Sequence, residues 1–347
     1  MSLYLENGYA NIPYVLSKGT TFNIMIGGRG TGKTFGALQT VRNTGVKFAL
    51  MRRTQAQLDT IARPETSPFK AVDRISNDGW TCEPVSIGNN IYGFYHTETG
   101  EDGKPVTGEL MGYGIALSTV ANLRSFDMSD VDLIIYDEFI PETHEKKLKN
   151  ESTAFFNAYE TINRNRELQG KRPTQVLLLA NANDFACPLL IGMKIVSTVE
   201  RMIARGKTEY VNTDRSLAVY LLTDSPISTK KNETALYRMT HGTAFSEMAI
   251  NNAFEGSKDP DVYGVNLREY NPNVIIGECC IYKHKSAQLY YVSSHESGSM
   301  GKFSGDGIDM KRFWATHRGL LMAAMTGKVI YESHLLKALF LRYCGFI

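Results

Sequence analysis

The sequence predicts an α/β protein. It should be a mainly parallel sheet with helices on both faces, the P-loop NTPase fold of ASCE type, followed by a smaller C-terminal α+β domain. Three observations predict it. A glycine-rich loop at 27–34 lies between an apolar run and a helical pattern. A second apolar run, 131–136, ends in two adjacent carboxylates. Short apolar runs alternate with helix-length segments as far as residue 222, the pattern of strands buried on both faces.

Taken in order, residues 21–26 (TFNIMI) form the first buried strand and 34–43 the helix after the glycine loop. Strands follow at 46–51, 91–95 and 113–117, with a polar, hairpin-like stretch at 98–107. The strand at 131–136 (VDLIIY) precedes a helix at 153–163, a strand at 175–180 (QVLLLA) and a last strand at 217–222 (LAVYLL). Beyond residue 226 the style changes. Residues 228–233 are polar and linker-like, 234–254 helical, 274–282 and 289–293 strand-forming, 309–328 and 333–343 helical. The expected domains are 1–226, a P-loop domain; 227–255, a helical linker or lid; and 256–347, the smaller domain.

Hydrophobic residues make up 43% and charged residues 21% of 347 residues, the balance of a globular protein. The apolar runs are strand-sized, too short for a membrane span, and the N-terminus lacks the layout of a secretory signal; a cytoplasmic protein is expected. A net charge of +2 means that any nucleic-acid contact must come from local basic loops. The cysteines, Cys82, Cys187, Cys279, Cys280 and Cys344, are odd in number and form no CxxC pair, so reduced thiols are expected.

Gly27, Gly28, Arg29, Gly30, Thr31, Gly32, Lys33 and Thr34 fit GxxxxGK[ST]. Glycines let backbone N–H groups converge on phosphate without a Cβ in the way. Lys33 neutralises the β- and γ-phosphates, Thr34 is a Mg²⁺ ligand, and the helix N-terminus points at the anion. At the end of the 131–136 strand, Asp137 would hold Mg²⁺ and Glu138 would act as general base on the attacking water. A glutamate beside the metal aspartate argues for hydrolysis with turnover. Asn181, at the tip of the 175–180 strand, is placed to sense the γ-phosphate. The stretch Asn181-Ala182-Asn183-Asp184 lacks the lysine of a guanine-reading NKxD motif, so ATP is expected over GTP.

These motifs resemble those of the terminase-type packaging ATPases, most closely the DNA packaging ATPases of phi29-like phages. The shared order is an arginine-bearing P-loop (GGRGTGKT), a strand ending in Arg52-Arg53, Asp137-Glu138-Phe139, then Arg164-Asn165-Arg166-Glu167 and a strand ending in Asn181. The later segment 242–248, with Asn252 and Phe254, fits as well. The resemblance implies ATP-driven translocation of double-stranded DNA into a preformed capsid by a homo-oligomeric ring, in that family a pentamer. The implied partners are the capsid portal (connector) and a structural packaging RNA, in the host cytoplasm at the portal vertex. Ring ATPases complete the site with a neighbour's cation. The family pattern puts that role at Arg164 and Arg124, with a lysine in the family at the second position, while Arg29 acts in cis over the γ-phosphate. Arg52 and Arg53 are left between touching nucleotide and coupling subunits. Another nucleic-acid-stimulated ATPase, such as a helicase or recombination enzyme, is the alternative, but no base-stacking motif supports it.

Candidate DNA-gripping cations are Lys146, Lys147 and Lys149, and Lys171-Arg172. By resemblance the C-terminal domain is RNase H-like. Its 274–282 run has no aspartate to hold the two metal ions of a nuclease, so a vestigial, nuclease-inactive domain is expected. Lys283, Lys285, Lys302, Lys311 and Arg312 are its candidate cations for docking RNA or DNA.

Overall fold

The computed structural model describes residues 2–142, 145, 148, 150–182, 186–223, 225–231, 233–243, 246, 259–298 and 300–346, with the backbone alone at 122–125 and 229. The chain divides into two compact units. One comprises Met1–Asp184 and Arg201–Phe254, the other Phe185–Glu200 and Glu255–Ile347. A stretch from within the expected first domain thus groups with the second unit.

The first unit is a nine-stranded sheet. Its strands are β1 (Phe22–Gly27), β2 (Phe48–Arg52), β3 (Trp80–Gly88), β4 (Ile91–Thr99), β5 (Pro105–Ala116), β6 (Leu133–Asp137), β7 (Gln175–Ala180), β8 (Glu209–Asn212) and β9 (Leu217–Leu222). The order is β3-β4-β5-β2-β6-β7-β1-β9-β8. The six strands from β5 to β9 are parallel, and β3, β4 and β8 add antiparallel edges. β7 lies between β1 and β6, the additional strand expected of the ASCE type. The inserted strand opens a gap between the tips of β1 and β6, and that gap is where a phosphate and its water can sit.

The parallel strands are apolar at nearly every position because both faces are covered. On one face Met25, Phe48, Leu50, Ile135, Leu177 and Tyr220 pack with Leu38 and Val41 of the helix Lys33–Thr44. On the other, Tyr136 stacks on Phe155 with ring centroids 5.7 Å apart. Phe155, Ala158 and Ile162 are the buried stripe of the helix Glu151–Asn163, spaced to fall on one side. The polar stretch at 98–107 is the tip of the β4–β5 hairpin. β3 and β8, edge strands without a long apolar run, escape the sequence pattern.

The second unit holds β10 (Tyr270–Ile276), β11 (Cys279–His284), β12 (Tyr290–Ser293), β13 (Gly301–Phe303) and β14 (Val329–Tyr331) in the order β13-β10-β11-β12-β14. The run expected as one strand at 274–282 is two, folded back at Gly277, whose φ is +53°. An added Cβ there would lie 2.1 Å from the Tyr343 hydroxyl. The helix expected at 309–328 is also two, Gly307–Thr316 and Arg318–Met325, broken at His317. The linker-like stretch at 228–233 belongs in part to a short helix, Pro226–Lys231.

Lys283 and Lys302 occupy rows of the β-sheet that differ by an odd number of residues. Their side chains therefore leave opposite faces. Lys302 pairs with Glu296 and Arg312 with Asp309. These candidate docking cations are therefore spread over more than one face of the unit.

Candidate nucleotide-binding and catalytic site

The parallel strands deliver the site's residues to one edge. β1 ends at the phosphate loop, β6 at Asp137, β7 at Ala180 before Asn181, and β2 at Arg52. Arg29 to Phe35, Asp137, Glu138, Glu142, Ala180 and Asn181 line an open cleft of about 310 Å³.

The loop's glycines have separate reasons. Gly30 (φ +66°) and Gly32 (φ +84°) hold left-handed conformations that favour glycine. A Cβ on Gly32 would come within 2.8 Å of Tyr9 Cδ1. The Lys33 ammonium donates to the carbonyls of Gly27 (2.9 Å) and Gly28 (2.8 Å), and lies 3.4 Å from Asn181 Oδ1. Burial pushes its pKa down to about 7, against the attraction of Asp137. A desolvated cation whose hydrogen bonds go to neutral oxygens gains from an arriving polyanion. The cradle therefore fits a nucleotide polyphosphate.

The Thr34 hydroxyl donates to Asp137 Oδ1 at 2.9 Å. Asp137 is 4% exposed, and burial raises its pKa. A hydroxyl and a buried carboxylate side by side are hard oxygen donors of the kind Mg²⁺ takes beside phosphate, so this pair fits the ion.

Glu138 has φ +56°. A left-handed glutamate is strained backbone, and such strain concentrates at functional sites. Its carboxylate projects past the strand end, half exposed, with Oε2 2.8 Å from Arg52 Nη1. The same Nη1 lies 3.2 Å from Asp137 Oδ2. Neither contact has aligned hydrogen-bond geometry, and Nε and Nη1 of Arg52 are buried. Arg52 thus lies at the strand tip, paired with both carboxylates.

Arg53 faces the other way. It is 1% exposed. Its Nε and Nη2 grip Glu151 (2.8 and 3.2 Å), its Nη1 meets Glu145 Oε2 at 3.2 Å, and the Tyr136 hydroxyl also donates to Glu151. Successive residues at a strand end point to opposite faces, so the two arginines take separate tasks. Arg53→Met leaves Glu151 buried beside only a tyrosine. The expected cost is about 3–5 kcal/mol of unfolding free energy, read by urea denaturation, and a loss under about 1 kcal/mol contradicts it.

Arg164 is not at this edge. It ends the helix Glu151–Asn163 in a left-handed turn (φ +43°), 3.1 Å from Asp127 and 3.3 Å from the Phe126 carbonyl. Those contacts lie on the segment that enters β6, at the end opposite Asp137. Lys171 and Arg172 precede β7 at that same far end, exposed. Arg124 lies in the 3₁₀ segment Leu117–Ser125; its side chain, like Lys146, Lys147, Lys149 and most of 244–254, lies outside the described residues. All five cysteines are free thiols.

Arg29, the expected cis cation, pairs with Glu142, a cleft residue that the sequence did not mark. No local signal distinguishes Glu142, since an acid in a loop is ordinary.

The inserted strand, the glycine cradle with its lysine, and a strand tip bearing Thr34-paired Asp137 and Glu138 define a P-loop NTPase of the ASCE type. The chain belongs to the Podovirus DNA encapsidation protein (Gp16) family, whose model matches residues 102–276. The DNA packaging proteins of Bacillus phages PZA and phi29 are each 25% identical to it over 253 residues, 72% of this chain and 66% of theirs. The match thus spans just under two thirds of the length of those relatives. The solved structure of the Phi-28 gp11 DNA packaging motor superimposes with a TM-score of 0.64 at 18% identity, covering 98% of each chain. That likeness establishes the fold across both units.

Proposed function

We propose that this protein is an ATP-hydrolysing motor that drives double-stranded viral DNA into a preformed capsid. The observation that carries the reading is the meeting of Lys33, Thr34, Asp137, Glu138 and Asn181 at one sheet edge, in a chain of the DNA encapsidation family. The motor works as a homo-oligomeric ring, a pentamer, docked at the capsid portal beside a packaging RNA in the host cytoplasm. The relatives' description as DNA packaging proteins supports this reading.

In the reaction the Lys33 ammonium exchanges the Gly27 and Gly28 carbonyls for the β- and γ-phosphates. Thr34 and Asp137 would hold Mg²⁺, which would offset charge on the phosphate oxygens. Glu138, ion-paired with Arg52, orients the attacking water and takes its proton. Asn181 senses the terminal phosphate, and Arg29 adds a cation in cis. Arg164 of one copy reaches the nucleotide of its neighbour, and Arg124 is the second candidate for that role. We infer no nuclease activity for the smaller unit. The 274–282 run read as its core, which forms β10 and β11, carries no aspartate.

The test is steady-state ATP hydrolysis with and without linear duplex DNA. Turnover that rises several-fold with duplex, and less with single strands, supports a duplex motor. Stimulation by single strands alone would favour the helicase or recombination reading.

A further inference from the structure

The helix Pro226–Lys231 lies against the phosphate loop, although its polar sequence reads as linker. β9 runs parallel to β1, with Leu222 beside Gly27. The chain leaving β9 therefore emerges at the edge where β1 delivers the loop. Ser225 Oγ donates to the Gly8 carbonyl at 3.2 Å and fixes the start of the helix. Lys231, its last residue, donates from its ammonium to the Arg29 carbonyl. A Cβ on Gly30 would lie 2.8 Å from that same ammonium. Lys231 is half-buried, and burial lowers its pKa. The pKa of Lys33, lowered first by burial, is lowered further by the Lys231 charge. Two ammonium groups thus meet at one loop, and a polyphosphate would relieve their repulsion.

We propose that Lys231 is a positioning residue for phosphate binding: by holding the Arg29 carbonyl outward, it keeps the Gly30 N–H turned into the cradle as a ready donor to the nucleotide's polyphosphate. This rests on the reading of the cleft as an ATP site.

The geometry of the peptide bond carries the argument. In a trans peptide the carbonyl and the following N–H point in opposite directions, and no cis bond occurs among the described residues. A carbonyl held from outside the cleft therefore turns the next N–H toward it. Lys231 does not line the cleft, whereas Arg29 and Gly30 do. The loop repeats the arrangement two residues on. There the Ala10 N–H, also from outside the cleft, donates to the Thr31 carbonyl at 2.9 Å. The amides that follow the two held carbonyls belong to Gly30 and Gly32, the left-handed glycines of the loop. Glycine has the freedom to rotate such a peptide. Unheld, the Arg29 carbonyl could swing inward and face the phosphates with a negative dipole end. Holding it beforehand removes that cost from binding. Lys230 shares the helix end but is exposed, so a general preference for cations at helix C-termini does not explain why Lys231 turns onto the loop.

The experiment measures the affinities of ADP and of AMP-PNP, both with Mg²⁺, for the full chain and its variants, by competition against a fluorescent nucleotide. Lys231→Met should weaken both nucleotides alike, by about three- to tenfold, the worth of one hydrogen bond. Lys231→Arg, which can still donate to the carbonyl, should recover most of the loss. Lys230→Met removes the same charge from the exposed neighbour and should bind as wild type does. Lys231→Gln is one atom shorter, falls short of the carbonyl and should lose as much as Lys231→Met. Its polar side chain suits a half-buried position, so it decides the matter even if Lys231→Met fails to fold. The melting temperature without nucleotide should stay near that of wild type. Unchanged affinity in Lys231→Gln, an equal loss in Lys230→Met, no recovery with Lys231→Arg, or a melting temperature that falls in step with affinity would overturn the assignment. If wild type binds neither nucleotide, the ATP reading itself falls, and the wild-type arm alone shows that result.

Discussion

Glu138→Gln should abolish turnover while leaving nucleotide binding intact. The expected loss is about 10²–10⁴-fold in kcat, the contribution of a positioned general base. Glutamine keeps the size of the side chain and its place beside Arg52, but cannot take a proton from water. The cradle is untouched, because Lys33, Thr34 and Asp137 hold their contacts without Glu138. Binding of ADP should therefore change little, and ATP should accumulate on the protein unhydrolysed. Single-turnover hydrolysis beside equilibrium binding checks both halves. Retained turnover would mean that another group activates the water, and the strained backbone at Glu138 would need a different account.

Arg164→Ala should lower turnover by on the order of 10³-fold, the scale of a lost arginine finger, and should do so without unfolding the protein. The geometry is the argument. Arg164 contacts Phe126 and Asp127, before β6, whereas Asp137 ends β6. At about 3.3 Å per residue, the five-residue strand separates its ends by on the order of 13 Å. Arg164 cannot reach the nucleotide of its own chain without leaving its helix end. Its ion pair with Asp127 is exposed on both sides, so its loss costs the fold little. Specific activity should also rise with protein concentration as copies associate. Full activity in the variant, or activity independent of concentration, contradicts a site completed by a neighbour.

The parts of the site legible in the sequence are those whose chemistry is written in consecutive residues. The cradle at 27–34 and the carboxylates at 137–138 each follow an apolar run, and the fold brings the two tips together through β7. The division of labour between Arg52 and Arg53 was not legible. It depends on partners 92 to 98 positions away, at Glu145 and Glu151, and on which face of the strand each residue leaves. Glu142 gave no signal because its role comes from the cleft alone. In the second unit, the glycine turn at Gly277 is hidden within an apolar run, so β10 and β11 read as one strand. His317 interrupts a helix without proline, and Gly319, two residues on, is only a weak cue to the break.

The central claim is that hydrolysis occurs at a site shared by two copies of this chain. The direct test mixes Glu138→Gln protein with Arg164→Ala protein under conditions where wild type is active, and measures ATP turnover. Each variant alone should be nearly silent. In a mixed ring, an Arg164→Ala subunit keeps its own Glu138 and receives Arg164 from a Glu138→Gln neighbour. Turnover should therefore reappear on mixing, at a fraction of the wild-type rate. If the mixture stays as silent as its components while wild type turns over, the site is not shared through Arg164, and the ring mechanism drawn here is wrong.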